Sequence, residues 1–137
     1  TLLAFFGLKM ELGPLAGWNL LLLSRLVLAG TGAFAFLRAT GRSAVASALG
    51  SIAFAYSLPF ASWLPWPHAN VNALLPLLYL AAERVARSPG PGPAAAFGGV
   101  LCLMHLGGHP ESAFLDACAA MVVWAFAVRR AAPGRDV

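Results

Sequence analysis

Apolar stretches follow one another along nearly the whole chain, and the arginines fall mostly in the gaps between them. With Gly, Pro and Arg read as punctuation, five helical spans are expected: Gly17–Leu37, Ser43–Phe60, Asn70–Arg84, Pro93–Leu106 and Glu111–Val128. A bilayer core of about 30 Å takes about 20 helical residues at 1.5 Å each. The first, second and fifth spans are long enough, and the third and fourth are short. The short pair must cross a thinned bilayer, extend past these bounds, or dip in and return. The expected fold class is all-α: a polytopic transmembrane bundle of about five short helices in one domain covering 1–137.

The spacing of arginines gives an independent test, because alternating crossings place Lys and Arg in every second connection. Arg38 and Arg42 lie between the first and second spans, Arg84 and Arg87 between the third and fourth, and Arg129, Arg130 and Arg135 after the fifth. The connections Ala61–Ala69 and Gly107–Pro110 hold neither Lys nor Arg. The N-terminal side of the first span is therefore expected outside and the C-terminal tail in the cytoplasm. The same alternation argues that the short spans cross, since removing either would split the arginine-bearing connections between two sides.

Composition excludes the other classes. Hydrophobic residues make up 60% and charged residues 10% of the chain, against roughly 45–50% and about 25% in soluble domains. A net charge of +4 would suggest nucleic acid if the basic groups formed a patch. They are dispersed instead, so the bilayer is the expected partner and nucleic acid is not. The chain opens at Thr1 directly into an apolar run, with no signal-peptide pattern, which reads as a piece of a longer membrane protein. Cys102 and Cys118 lie inside apolar runs and read as buried free thiols. The Ser88-Pro-Gly-Pro-Gly-Pro93 stretch reads as a loop on the inner side.

Small residues at four-residue spacing mark packing faces: Ala29/Ala33, Ala46/Gly50, Ser47/Ser51 and Ala113/Ala117. Trp18, Tyr79 and Trp124 read as interface or packing aromatics.

On this topology His68, His105 and His109 all fall at the outer end, together with Asn70, Asn72 and Glu111. In Gly107-Gly-His-Pro-Glu-Ser112 every residue except His109 has a helix-capping explanation; the functional alternative sets His109 and Glu111 at a pocket rim, binding a phosphate or a sugar hydroxyl. Trp63 and Trp66 read as a membrane-interface belt or as stacking platforms for a sugar whose hydroxyls Asn70 or Asn72 would bind. Arg25 lies deep in the first span and Asp116 at similar depth in the fifth. An Arg25–Asp116 ion pair is the simplest way to satisfy both, with a clamp on a lipid phosphate as the alternative role for Arg25. No Gly-x-Ser-x-Gly elbow, His-Glu-x-x-His, Walker loop or Cys-x-x-Cys occurs. Cys102 and His105 alone make too few ligands for a metal, and no cofactor is evident.

The segments Pro14-Leu-Ala-Gly-Trp-Asn19, Phe36-Leu-Arg-Ala-Thr-Gly-Arg-Ser43, Trp63 to Pro76, and Gly108-His-Pro-Glu-Ser112 resemble YfhO-type bacterial membrane proteins, polytopic glycosyltransferases of the GT-C class. The resemblance runs from about Pro14 to Arg130. It implies transfer of a sugar from a polyprenyl-phosphate carrier to a cell-envelope acceptor, on the outer face of the bacterial cytoplasmic membrane. It also implies a carboxylate base in the first outer loop, a region that here precedes Thr1 or includes Glu11. Glu11, Glu111 and Asp116 are the carboxylates available for that role, and none is assigned. The alternative is a non-enzymatic membrane module, a transporter or flippase segment or an assembly scaffold, for which short spans and a charge in mid-helix also serve.

Orientation can be checked in a variant lacking Cys102 and Cys118. A cysteine placed beside His68 should react with an impermeant maleimide outside intact cells, and one beside Arg42 only after the cells are opened. The reverse order would leave the proposed site without a common face.

Overall fold

In the computed structural model, which describes residues 13–131, the regular structure is all helical, with no strand among those residues. The first helix, α1 (Pro14–Ala39), opens on Gly13 at φ 82° with Pro14 in its first turn, where a missing N–H costs nothing. It ends where Gly41 takes φ 86° and Arg42 N–H reaches back to the Leu37 carbonyl while Gly41 N–H bonds that of Arg38. This is a Schellman turn, and glycine is the residue that enters it without strain.

Helix α2 (Ala44–Ala55) is capped by Ser43, whose hydroxyl accepts the Ala46 N–H. The expected span Ser43–Phe60 is not continuous: it breaks at Tyr56 and Ser57 and resumes as α3 (Leu58–Ser62). Pro59 explains the break, since it has no N–H to offer the Ala55 carbonyl and its ring crowds that oxygen. The third span breaks in the same way. It consists of α4 (His68–Asn72) and α5 (Leu75–Arg87), with Pro76 unable to bond the Asn72 carbonyl. Ala73 and Leu74 keep right-handed helical angles across the break, so the chain bends without turning back. Residues 68–87 thus form a run of about 20 residues, or about 30 Å, longer at both ends than the expected Asn70–Arg84.

Helix α6 (Pro91–His105) corrects the reading of the proline-glycine stretch. The loop is confined to Ser88–Gly90, and Pro91, Gly92 and Pro93 form the first helical turn, closed by Ala94 N–H on the Gly90 carbonyl. Proline is tolerated there because first-turn N–H groups have no partner in any case. Helix α7 (Pro110–Ala131) completes the bundle.

Three segments are long and apolar enough to cross a membrane: Pro14–Ala39, Ala44–Ser62 and Pro110–Ala131. Large apolar side chains such as Leu49, Ile52, Phe114, Leu115 and Phe126 point outward, as a lipid-facing surface requires. Inside, small residues let the helices approach. Ala29 and Ala33 are buried against neighbours, and Gly32 leaves only 3.2 Å between a built Cβ and Leu77 Cγ. On α2 the buried pair is Ser47/Ser51, whereas Ala46 faces out and Gly50 lies against Leu37. On α7 the fully packed alanines are Ala113, Ala120 and Ala127, at seven-residue spacing, with Ala117 only half-buried. Cys102 and Cys118 are free but exposed, which corrects the expectation of burial.

Side-chain contacts fix the relative directions of α1, α4–α5 and α7. Arg25 meets Asn70 near one end, Gly32 meets Pro76 and Leu77 midway, and Phe36 meets Tyr79 with ring centroids 5.7 Å apart. Helix α1 is therefore parallel to α4–α5. Helix α7 is parallel to both, because His109 before it meets His68 and Arg130 at its far end bonds Glu83. The arginines of the α1–α2 turn, of the end of α5 and of the end of α7 share one end of the bundle, and the His68 and His109 segments share the other.

Glu83 fastens the arginine end. Its side chain is 1% exposed, with one oxygen 2.7 Å from Arg87 and the other 2.9 Å from Arg130. Both arginines are half exposed, so screening limits each bond. Glu83→Gln should lower stability by on the order of 1 kcal/mol, seen as an earlier thermal midpoint in detergent. Arg84→Gln, at an exposed position, should leave the midpoint in place.

Candidate functional site

The site is built around a charge that cannot reach water along its own helix. Arg25 lies about 16 Å into α1 and is only 6% exposed. Its Nε donates to Asn70 Oδ1 at 2.9 Å, and one terminal nitrogen donates to the Leu64 carbonyl. The expected Arg25–Asp116 ion pair is not formed. Asp116 lies within electrostatic reach of Tyr79 on α5, while the segment between α3 and α4 supplies the guanidinium with its acceptor. That segment is irregular and leaves the Leu64 carbonyl to accept from Arg25, which is how charges inside bilayers are commonly satisfied.

Asn70 does two things at once. Its oxygen accepts from Arg25 and its Nδ2 donates to the Gly107 carbonyl at 3.0 Å. Three separate chain segments are joined through one amide. The approach of the α6–α7 turn depends on Gly107, where a built Cβ would lie 2.9 Å from the Met104 carbonyl and 3.1 Å from Val71. Gly108 then takes φ 95°, turning the chain into α7.

His109 has a capping role that its sequence context did not reveal. Its Nδ1 accepts the Ser112 N–H at 3.2 Å and lies 2.8 Å from the Ser112 hydroxyl. Acceptance at Nδ1 leaves the proton of the neutral ring on Nε2, so His109 presents a donor outward from the cap. Its ring lies against His68, with centroids 3.6 Å apart and planes inclined by 35°. His68 also meets Trp63 at 5.1 Å, and Trp63 meets Trp66 edge-on at 6.2 Å. His68 Nδ1 is buried without a hydrogen-bond partner.

The structure thus gathers Arg25, Asn70, His68, His109, Trp63 and Trp66 at one end. Glu111 is exposed in the first turn of α7, and Asn72 is half-buried without a side-chain hydrogen bond among the described residues. His105 turns back to its own helix, with Nδ1 2.9 Å from the Leu101 carbonyl. Glu11 lies outside the described residues. Among those described, no three His, Cys, Asp or Glu side chains are grouped as metal ligands. Beside Arg25 a groove of about 440 Å³ runs between α1 and α4–α5, lined by Leu21, Ser24, Arg25, Thr31, Asn70 and Leu74.

Sequence reasoning missed two acceptors, the Leu64 and Gly107 carbonyls, because backbone groups carry no residue signature. It also missed Glu83, although a Glu four residues before Arg87 on one helix is a readable pairing signal.

No protein-family model, characterised protein or solved structure matches the chain.

Asn70→Leu keeps the volume while stranding a guanidinium N–H and a carbonyl. It should cost about 2–3 kcal/mol, measured as a fall in thermal midpoint in detergent. Asn72→Leu should change that midpoint far less.

Proposed function

We propose that this chain is the carrier-binding part of a bacterial membrane glycosyltransferase of the GT-C type, receiving a polyprenyl-phosphate sugar at the histidine end of the bundle. The observation that carries the reading is the groove beside Arg25: apolar side chains of α1 and α4–α5 line it, with a buried guanidinium and an amide set into its wall. An isoprenoid phosphate has that same chemistry, a long apolar tail ending in an anion. A planar guanidinium suits the phosphate because it offers directed, charge-assisted donors. His109 adds a donor through Nε2, and the exposed indoles of Trp63 and Trp66 offer faces for a sugar ring. The quoted resemblance of the Gly108-His-Pro-Glu-Ser112 turn and the segments before it supports the same class.

In this reading the arginine end is cytoplasmic and the histidine end faces outward, following the distribution of basic residues. The base that takes the acceptor's proton is supplied from the region of Glu11 or from elsewhere in a longer protein. A second reading has an observation of its own. The proline-broken pairs α2–α3 and α4–α5 resemble the discontinuous helices of transporters, which suits a non-enzymatic flippase segment.

The test is sugar transfer by the full-length protein in membranes. Arg25→Gln should lower transfer by roughly tenfold to a hundredfold, mainly by weakening carrier binding, with Arg25→Lys retaining part of it. Transfer unchanged in Arg25→Gln, at equal amounts of folded protein, would remove the site. Vesicles that move the lipid-linked sugar across the bilayer without forming a glycosidic bond would favour the second reading.

A further inference from the structure

Glu83 is buried and Asp116 half-buried within the packed helices, and these two carboxyls are treated in opposite ways. Glu83 has an arginine on each oxygen. Asp116, about 9 Å along α7 from its start, has none. Its Oδ2 is sealed from solvent and meets no hydrogen-bond donor.

The surroundings of Asp116 supply no cation. Helix α7 packs against α4, α5 and α6. On α5, Tyr79 is in electrostatic reach of Asp116, while Glu83, Arg84 and Arg87 belong to the arginine end. On α4, His68 is engaged with His109 and Trp63. On α6, His105 is turned to the Leu101 carbonyl and Cys102 faces outward. Arg25 of α1 is committed to Asn70 and Leu64. On α7 itself, Glu111 is exposed and Arg130 is spent on Glu83.

A carboxylate sealed on one oxygen, inside an apolar span and without a counter-charge, is costly in its ionised form. The neutral acid removes that cost, because it carries no net charge. We propose that Asp116 is a proton-binding site within the bundle, a carboxyl that takes up and gives off a proton inside the apolar span. The ligand is the proton itself. The site is separate from the groove at Arg25 and stands whether or not the chain handles a lipid-linked sugar.

A hydrophobic carbodiimide reports on such a group. The protonated carboxyl adds across one C=N bond: its oxygen joins the central carbon, its proton moves to a nitrogen, and the adduct rearranges to a stable N-acylurea with no atom lost. Membranes containing the full-length protein are treated with dicyclohexylcarbodiimide across a range of pH, and the peptides are mapped by mass spectrometry. The adduct is expected on Asp116 with its highest yield at mildly acid pH, falling roughly tenfold per pH unit once the acid ionises. It is expected to be absent in Asp116→Asn, which resembles the neutral acid in shape, and on Asp116 when a water-soluble carbodiimide is used. Glu83, held by two arginines, should stay unlabelled. No adduct on Asp116 at any pH tested, or equal labelling of Asp116 by both reagents at every pH, would overturn the proposal.

Discussion

The bundle depends on how the charge of Arg25 is accommodated away from water. A buried guanidinium costs several kcal/mol unless its N–H groups find partners. Here the partners are neutral: an amide oxygen on α4 and a backbone carbonyl before it. The choice has a structural consequence that a carboxylate would not have. An ionised Asp only accepts, whereas Asn accepts on one side and donates on the other. Asn70 therefore passes the constraint on to the Gly107 carbonyl. The position of the α6–α7 turn, and with it of His109, is set by a charge on α1.

Prolines make this possible by leaving helices incomplete. Apolar association gives little driving force between helices in lipid, so close packing and polar fasteners have to hold a bundle together. Pro59 and Pro76 interrupt two spans, and the irregular segment between α3 and α4 leaves to Arg25 the Leu64 carbonyl, which a continuous helix would consume. The far end needs no such segment. There Glu83 takes Arg130 across from α7 and Arg87 from its own helix. Between the two fasteners run the small residues, Ala29 and Ala33 on α1 and the alanines at 113, 120 and 127 on α7. One end of the bundle is closed by ions of opposite sign and the other by neutral acceptors around a single cation.

The arrangement of ends was legible in the sequence because arginine placement obeys a long-range rule: every second connection carries the charge, and the structure puts those connections together. Packing faces were less legible. In water an outward helix face is polar and so announces itself; in lipid both faces are apolar, and periodicity no longer separates them. That is why Cys102 and Cys118 read as buried yet point out, and why Ala46 and Ser47, adjacent in sequence, could not be ranked. The partner of Arg25 was hidden for another reason. Scanning for opposite charge finds Asp116, but the partners are an amide and a carbonyl, and the carbonyl is defined only by the backbone's path. His109 concealed its capping role similarly, since an imidazole at a helix start is not among the usual caps.

The contrast between the two carboxyls in packed helices bears on function more than either does alone. Glu83 shows that this chain can bring arginines to a buried acid where a structural ion pair is wanted, and it does so from two directions. Arg25 shows that a buried cation can be satisfied without an acid at all. Asp116 lies between these two solutions and uses neither, although a guanidinium is present deeper in α1 and another at the end of its own helix. An acid with a purely structural task would gain from either partner. Left without them, Asp116 is a half-buried carboxyl whose charge no arginine holds, which is what a proton-binding group requires.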